Sequence, residues 1–184
     1  MEKISLKKPG MILRFATGIV LITGAVLFPQ IIHLIGKWSQ SGNLLGTIIL
    51  PMHFTVLISG LILGPIAGGL IGFFSPIISY SLTGMPTSDQ LFLMCIELAS
   101  YGLSSGLISH KKISVPVKIL IAQIIGRAVK LLTSLLILAI LPDITFSIES
   151  IALTYLRGVP GVIMQICLIS CLFYNFKGFT MYYE

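Results

Sequence analysis

Five ionisable side chains stand inside long apolar stretches: His53, Glu97, Arg127, Lys130 and Arg157. A charged residue at the centre of a membrane helix costs roughly 2.5–3.5 kcal/mol on insertion scales, so such residues mark function. Their spacing is ordered. Gln123, Arg127, Lys130 and Ser134 follow one another at steps of four, three and four, which lines one face of a helix. Glu97, Tyr101 and Ser105 repeat every fourth residue, and Gln165 lies eight residues after Arg157, near the same face. Glu97 can neutralise one cation as a buried staple, and burial can make a lysine give up its proton. The remaining positive charge predicts an anionic ligand. Arginine suits a carboxylate because its fork binds both oxygens.

Of the 184 residues, 55% are hydrophobic and 10% are charged. Soluble domains carry about 25% charged residues, so a soluble enzyme, a nucleic-acid-binding domain and a disordered chain are all excluded. The net charge of +6 does not reverse this, because the basic residues sit at the ends of apolar runs. A hydrocarbon core needs about 20 apolar residues per helix. The pattern yields six spans in a single domain, over residues 13–35, 46–63, 65–82, 90–109, 115–140 and 152–174. Gly64-Pro65 divides the uncharged stretch between Trp38 and Ser88, because proline cannot continue a helix and restricts the residue before it. The first apolar run is longer than a secretory signal and reads as a retained helix.

Lysine and arginine placement sets the expected orientation. Lys3, Lys7, Lys8, Arg14, Lys111, Lys112, Lys118 and Lys177 fall on one side of a six-span topology. Lys37 falls on the other, with Asp89, Asp143 and Glu149 nearby. The positive-inside rule then places both termini in the cytoplasm. Trp38, Tyr182 and Tyr183 stand where interfacial aromatics belong. At a rise of about 1.5 Å per residue, Lys130 lies about 21 Å along the fifth span from its cytoplasmic start. The five ionisable residues occupy the outer half or the middle of their spans, describing a polar cavity that opens outward.

Gly60, Gly64, Gly68 and Gly72 recur every fourth residue, which suits close packing of membrane helices within the chain. Cys95, Cys167 and Cys171 lie in apolar segments without a zinc-type spacing and read as buried free thiols. There is no G-x-x-x-x-G-K-[ST], H-E-x-x-H or G-x-S-x-G motif and no carboxylate cluster for magnesium, so no catalytic constellation or cofactor is expected.

At this point the chain resembles a known family, the substrate-binding S-components of energy-coupling factor (ECF) vitamin transporters. The stretch LPMHFTVLISGLILGPIAGGLIGFFSPIISYSLTGMP over 50–86 and ELASYGLSSGL over 97–107 look like the group that contains the pantothenate, folate and riboflavin proteins. The resemblance implies an all-α integral membrane protein of six helices with cytoplasmic termini, in a bacterial plasma membrane. It implies partners: a membrane coupling subunit and two ATPase subunits that use the ATP, with the S-component toppling in the bilayer to carry its vitamin inward. It maps ligand contacts onto Glu97, Tyr101, Arg127, Lys130 and Arg157 and onto the loop Thr83 to Thr87. His53 and Gln123 join them from the polar stripes, completing the expected substrate-binding set. The family's Ala-x-x-x-Ala in helix one is not kept: Ala16 is followed by Val20, and the small patches Ala16–Gly18 and Thr23–Ala25 stand in for it.

The spare positive charge makes pantothenate the best-fitting vitamin, with folate and nicotinate as other anions. The competing reading is a stand-alone, ion-coupled secondary transporter of a small anionic solute, with Glu97 as its proton carrier.

Overall fold

A computed structural model describes residues 11–40, 44–140 and 148–175. Lys3, Lys7, Lys8, Asp143, Lys177, Tyr182 and Tyr183 lie outside the described residues. The regular elements among them are all helices: α1 (Met11–Trp38), α2 (Leu44–Ile49), α3 (Pro51–Leu63), α4 (Pro65–Thr83), α5 (Ser88–Ser109), α6 (Val115–Ile140), α7 (Ile148–Arg157) and α8 (Val159–Asn175). Four of them, α1, α4, α5 and α6, and the run Ala152–Asn175 are long and apolar enough to cross a membrane. The chain is a multi-pass membrane protein.

Two expected spans are broken. The second divides at Leu50, whose backbone is left-handed at φ 52° and ψ 52°. The cause lies one residue on, where Pro51 has no N–H to continue the ladder and crowds the residue before it. The sixth span divides between Arg157 and Val159. There Pro160 cannot donate to the preceding turn, and Gly158 tolerates the bend. At Gly64–Pro65 the chain reverses through Gly64, at φ 93°.

The core forms around α3, in which every residue from Met52 to Leu63 except Phe54 is buried. Val56 and Leu57 belong to one buried apolar cluster with Leu98 and Tyr101 of α5, Ile119 and Ala122 of α6, and Ile169 of α8. Glycines let these backbones touch. A Cβ on Gly72 would stand 2.2 Å from Leu98 O, and one on Gly102 only 2.0 Å from Gly68 O. The four-residue glycine row therefore packs inside the molecule, on α5. Ala25 of α1 is fully buried, so the Thr23–Ala25 patch is not a continuous outer surface, whereas Ala16 is exposed. Cys95 is buried, but Cys167 and Cys171 are exposed on α8, which corrects the expectation of three buried thiols. An apolar run in a membrane is not buried in protein on every side, and these two face outward.

Candidate functional site

A cavity of about 500 Å³ opens at one end of the bundle. Its wall takes Pro29 and His33 from α1, Leu50, Met52 and His53 from the α2–α3 break, and Met85, Pro86 and Thr87 from the α4–α5 connection. Leu93, Met94 and Glu97 come from α5, Lys130 and Ser134 from α6, and Thr154 and Tyr155 from α7. The connection is braced from α1, where Gln30 Nε2 donates to Ser79 Oγ and to Thr83 Oγ1, each at 3.1 Å. The opposite end of the bundle carries Arg14 at the start of α1 and Lys111, Lys112 and Lys118 around the α5–α6 turn.

Glu97 is the hub of the polar wall and is 4% exposed. Its Oε2 lies 2.7 Å from Lys130 Nζ, and its Oε1 lies 3.5 Å from His53 Nε2. Tyr101 Oη donates to the same Oε1 at 3.2 Å. One carboxylate thus joins α3, α5 and α6. The ring of Tyr101 reaches this position because Gly126 of α6 has no side chain: a Cβ there would be 2.5 Å from Tyr101 Cδ1. The His53 and Tyr101 rings meet edge to face at 5.2 Å.

Arg127 does something different from what its spacing suggests. Its Nη1 donates to Tyr155 O at 3.4 Å, and its Nη2 to Gly158 O at 3.3 Å. Tyr155 Oη donates back to Arg127 O at 2.8 Å, and the guanidinium carbon stands 5.5 Å from the Tyr155 ring centroid. The pair clamps α6 to the α7–α8 junction, beside a water-sized void of about 20 Å³. Gln123 is buried and donates to Gln165 Oε1 at 2.9 Å.

Of the expected set, the structure therefore brings His53, Glu97 and Lys130 to the cavity wall. Tyr101 stands behind Glu97, Arg127 is turned toward α7, Gln123 is spent on Gln165, and Arg157 is exposed and does not line the cavity. Of the expected cations, Lys130 reaches the wall, Arg127 borders the small void beside it with Glu97, and Arg157 takes no part. Among the described residues the wall carries two carboxylates, Asp89 and Glu97, against one ammonium, Lys130. Sequence reasoning missed Leu50, Met52, Leu93, Met94, Thr154 and Tyr155. Gln90, Leu93, Met94 and Glu97 do share a helical face, but apolar members of a face carry no contrast in an apolar chain.

Apolar spans around a half-apolar cavity with a buried carboxylate hub define a membrane-embedded solute-binding protein. The family model for the ECF-type riboflavin transporter, S component, matches residues 39–178, and the chain belongs to that family. It is the substrate-binding subunit of a vitamin transporter, not an enzyme, and the family works with ECF membrane and ATPase subunits. No curated protein and no solved structure matches the chain significantly. The family named is the riboflavin type, and the match gives pantothenate no support.

Proposed function

We propose that this chain captures an uncharged, ring-bearing vitamin of the riboflavin class at the outer face of a bacterial plasma membrane, for import driven by partner ATPases. The observation that carries this reading is the charge balance of the cavity. Its one ammonium, Lys130, is already engaged by Glu97 at 2.7 Å, and Asp89 adds a second carboxylate. An anion such as pantothenate would meet two carboxylates in that wall, while the neighbouring cation, Arg127, is directed onto the Tyr155 and Gly158 carbonyls. A neutral ligand with hydrogen-bonding edges meets Met52, Leu93 and Met94 on its faces, and Ser134, Thr154 and Tyr155 at its rim. The volume of about 500 Å³ falls in the range of small-molecule sites.

The positive-inside rule supplies the orientation. Arg14, Lys111, Lys112 and Lys118 crowd the end away from the cavity, which supports a reading with that end in the cytoplasm and the cavity outward. The chain has no nucleotide-binding motif, consistent with ATP being used by the partner subunits. The direct test is equilibrium binding of riboflavin to the purified chain, followed by quenching of flavin fluorescence. One-to-one binding with pantothenate unable to compete supports the reading, and displacement by pantothenate contradicts it.

A further inference from the structure

The break in the second span leaves backbone groups without their regular helical partners, on a segment that lines the cavity. In a bilayer each unsatisfied N–H or C=O costs several kcal/mol, so irregular backbone survives only where something bonds it. Leu50 N donates to Gly46 O at 3.1 Å, but Pro51 has no N–H to offer. Leu50 O already accepts from His53 N at 3.1 Å, and the carbonyls of Ile49 and Leu50 face α8 as well. There Gln165, fully buried, donates its Nε2 to Leu50 O at 3.0 Å and to Ile49 O at 3.5 Å.

The amide cannot be turned the other way, because carbonyls only accept. Gln165 Oε1 in turn accepts from Gln123 Nε2 at 2.9 Å, so α6 fixes the orientation. One turn earlier on α8, Gly161 lets the backbones close up: a Cβ there would be 2.3 Å from Ile48 O. Gln165 does not line the cavity, but Leu50, Met52 and His53 on the segment it holds all do. A left-handed leucine is a conformation a bulky residue adopts only when its surroundings impose it.

We propose that Gln165 is a positioning residue: its side-chain amide holds the α2–α3 break open and thereby sets Leu50, Met52 and His53 in the wall of the vitamin cavity. The inference rests on the reading of that cavity as the ligand site, but its structural half is testable without a ligand.

The test replaces Gln165 by Leu in the full chain in detergent and follows amide hydrogen exchange together with riboflavin binding. The expected result is exchange over residues 48–54 faster by about tenfold, the scale of one buried hydrogen bond, with α4 and α5 unchanged. Riboflavin affinity falls by a similar factor, through faster dissociation. Unchanged exchange over 48–54 overturns the proposal whatever the ligand proves to be. Faster exchange with unchanged riboflavin affinity also overturns it, because the break would then not position the site.

If the parent chain does not bind riboflavin, the functional reading fails by itself. The inference is then decided by the exchange pattern and by thiol labelling of Leu50→Cys, which should speed up when Gln165→Leu is added. Should Gln165→Leu fail to fold, Gln123→Leu leaves the Gln165 donors in place and removes the bond that anchors Gln165 Oε1 to α6. It should loosen the same segment by a smaller factor, and no loosening there overturns the proposal.

Discussion

Lys130 Nζ of α6 and Glu97 Oε2 of α5 stand 2.7 Å apart in the wall of the cavity, forming an ion pair whose carboxylate is almost wholly buried. The same carboxylate faces His53 and accepts from Tyr101, so removing its cation strands a charge that three helices share. Breaking one side of a buried pair costs about 3–5 kcal/mol, because the other charge stays buried without a counter-ion. Lys130→Met should therefore destabilise the chain strongly in detergent unfolding. Adding Glu97→Gln should restore much of the loss, since the double mutant buries no net charge. Additive losses would show that the two residues do not act as a pair.

The Arg127–Tyr155 clamp predicts a kinetic effect. Tyr155 and Thr154 line the cavity, and Arg127 holds this segment through the carbonyls of Tyr155 and Gly158. Tyr155→Phe removes the hydroxyl that donates to Arg127 O, a loss of about 1 kcal/mol for one hydrogen bond. Stopped-flow binding should show faster riboflavin release with little change in association. Release at the parent rate would mean that the clamp does not close the site.

The glycine seam predicts a sharp contrast between two alanine substitutions. Gly102→Ala places a methyl 2.0 Å from Gly68 O, and neither backbone can yield without parting α4 from α5. Overpacking of this kind costs about 1–3 kcal/mol, and more where backbone is the obstacle. Gly18→Ala meets nothing closer than Leu63 Cδ1 at 3.8 Å and should be silent. Thermal unfolding of the two variants side by side checks this, and equal melting temperatures would contradict the packing.

Ligand charge gives a prediction about salt. A neutral vitamin gains little from long-range attraction to charges in the wall. Raising the ionic strength from about 0.05 M to about 0.5 M, which shortens the screening length several-fold, should change riboflavin affinity by less than about twofold. A fall of tenfold or more would restore the case for an anionic ligand.

Much of the helical scaffold could be read from the chain. Gly64-Pro65 and the limits of the apolar runs mark helix ends and the four-residue glycine row marks a close contact, but Pro51 and Pro160 break spans that hydropathy reads as continuous, while Pro29 and Pro76 lie inside α1 and α4. The partner of that row, Gly102 and Gly106 on α5, follows from no local pattern, because contact between helices distant in sequence is a property of the packed bundle. The polar stripe on α6 was also legible, but its use was not. Gln123, Arg127 and Lys130 share a face, yet each spends its polar group on a different neighbour: Gln165, the α7–α8 carbonyls and Glu97. Spacing gives direction around a helix axis and says nothing of what stands opposite. That is why spacing alone predicts a cationic wall where the structure pairs Lys130 with Glu97 and turns Arg127 onto backbone carbonyls.

We propose an uncharged, flavin-like vitamin in the cavity at the lysine-poor end of the bundle. The decisive measurement is native mass spectrometry of the chain purified from cells supplied with both riboflavin and pantothenate. One molecule of riboflavin mass should be retained per chain and lost in the Lys130→Met variant. A retained molecule of pantothenate mass, or flavin retention that survives disruption of the Glu97–Lys130 pair, would contradict it.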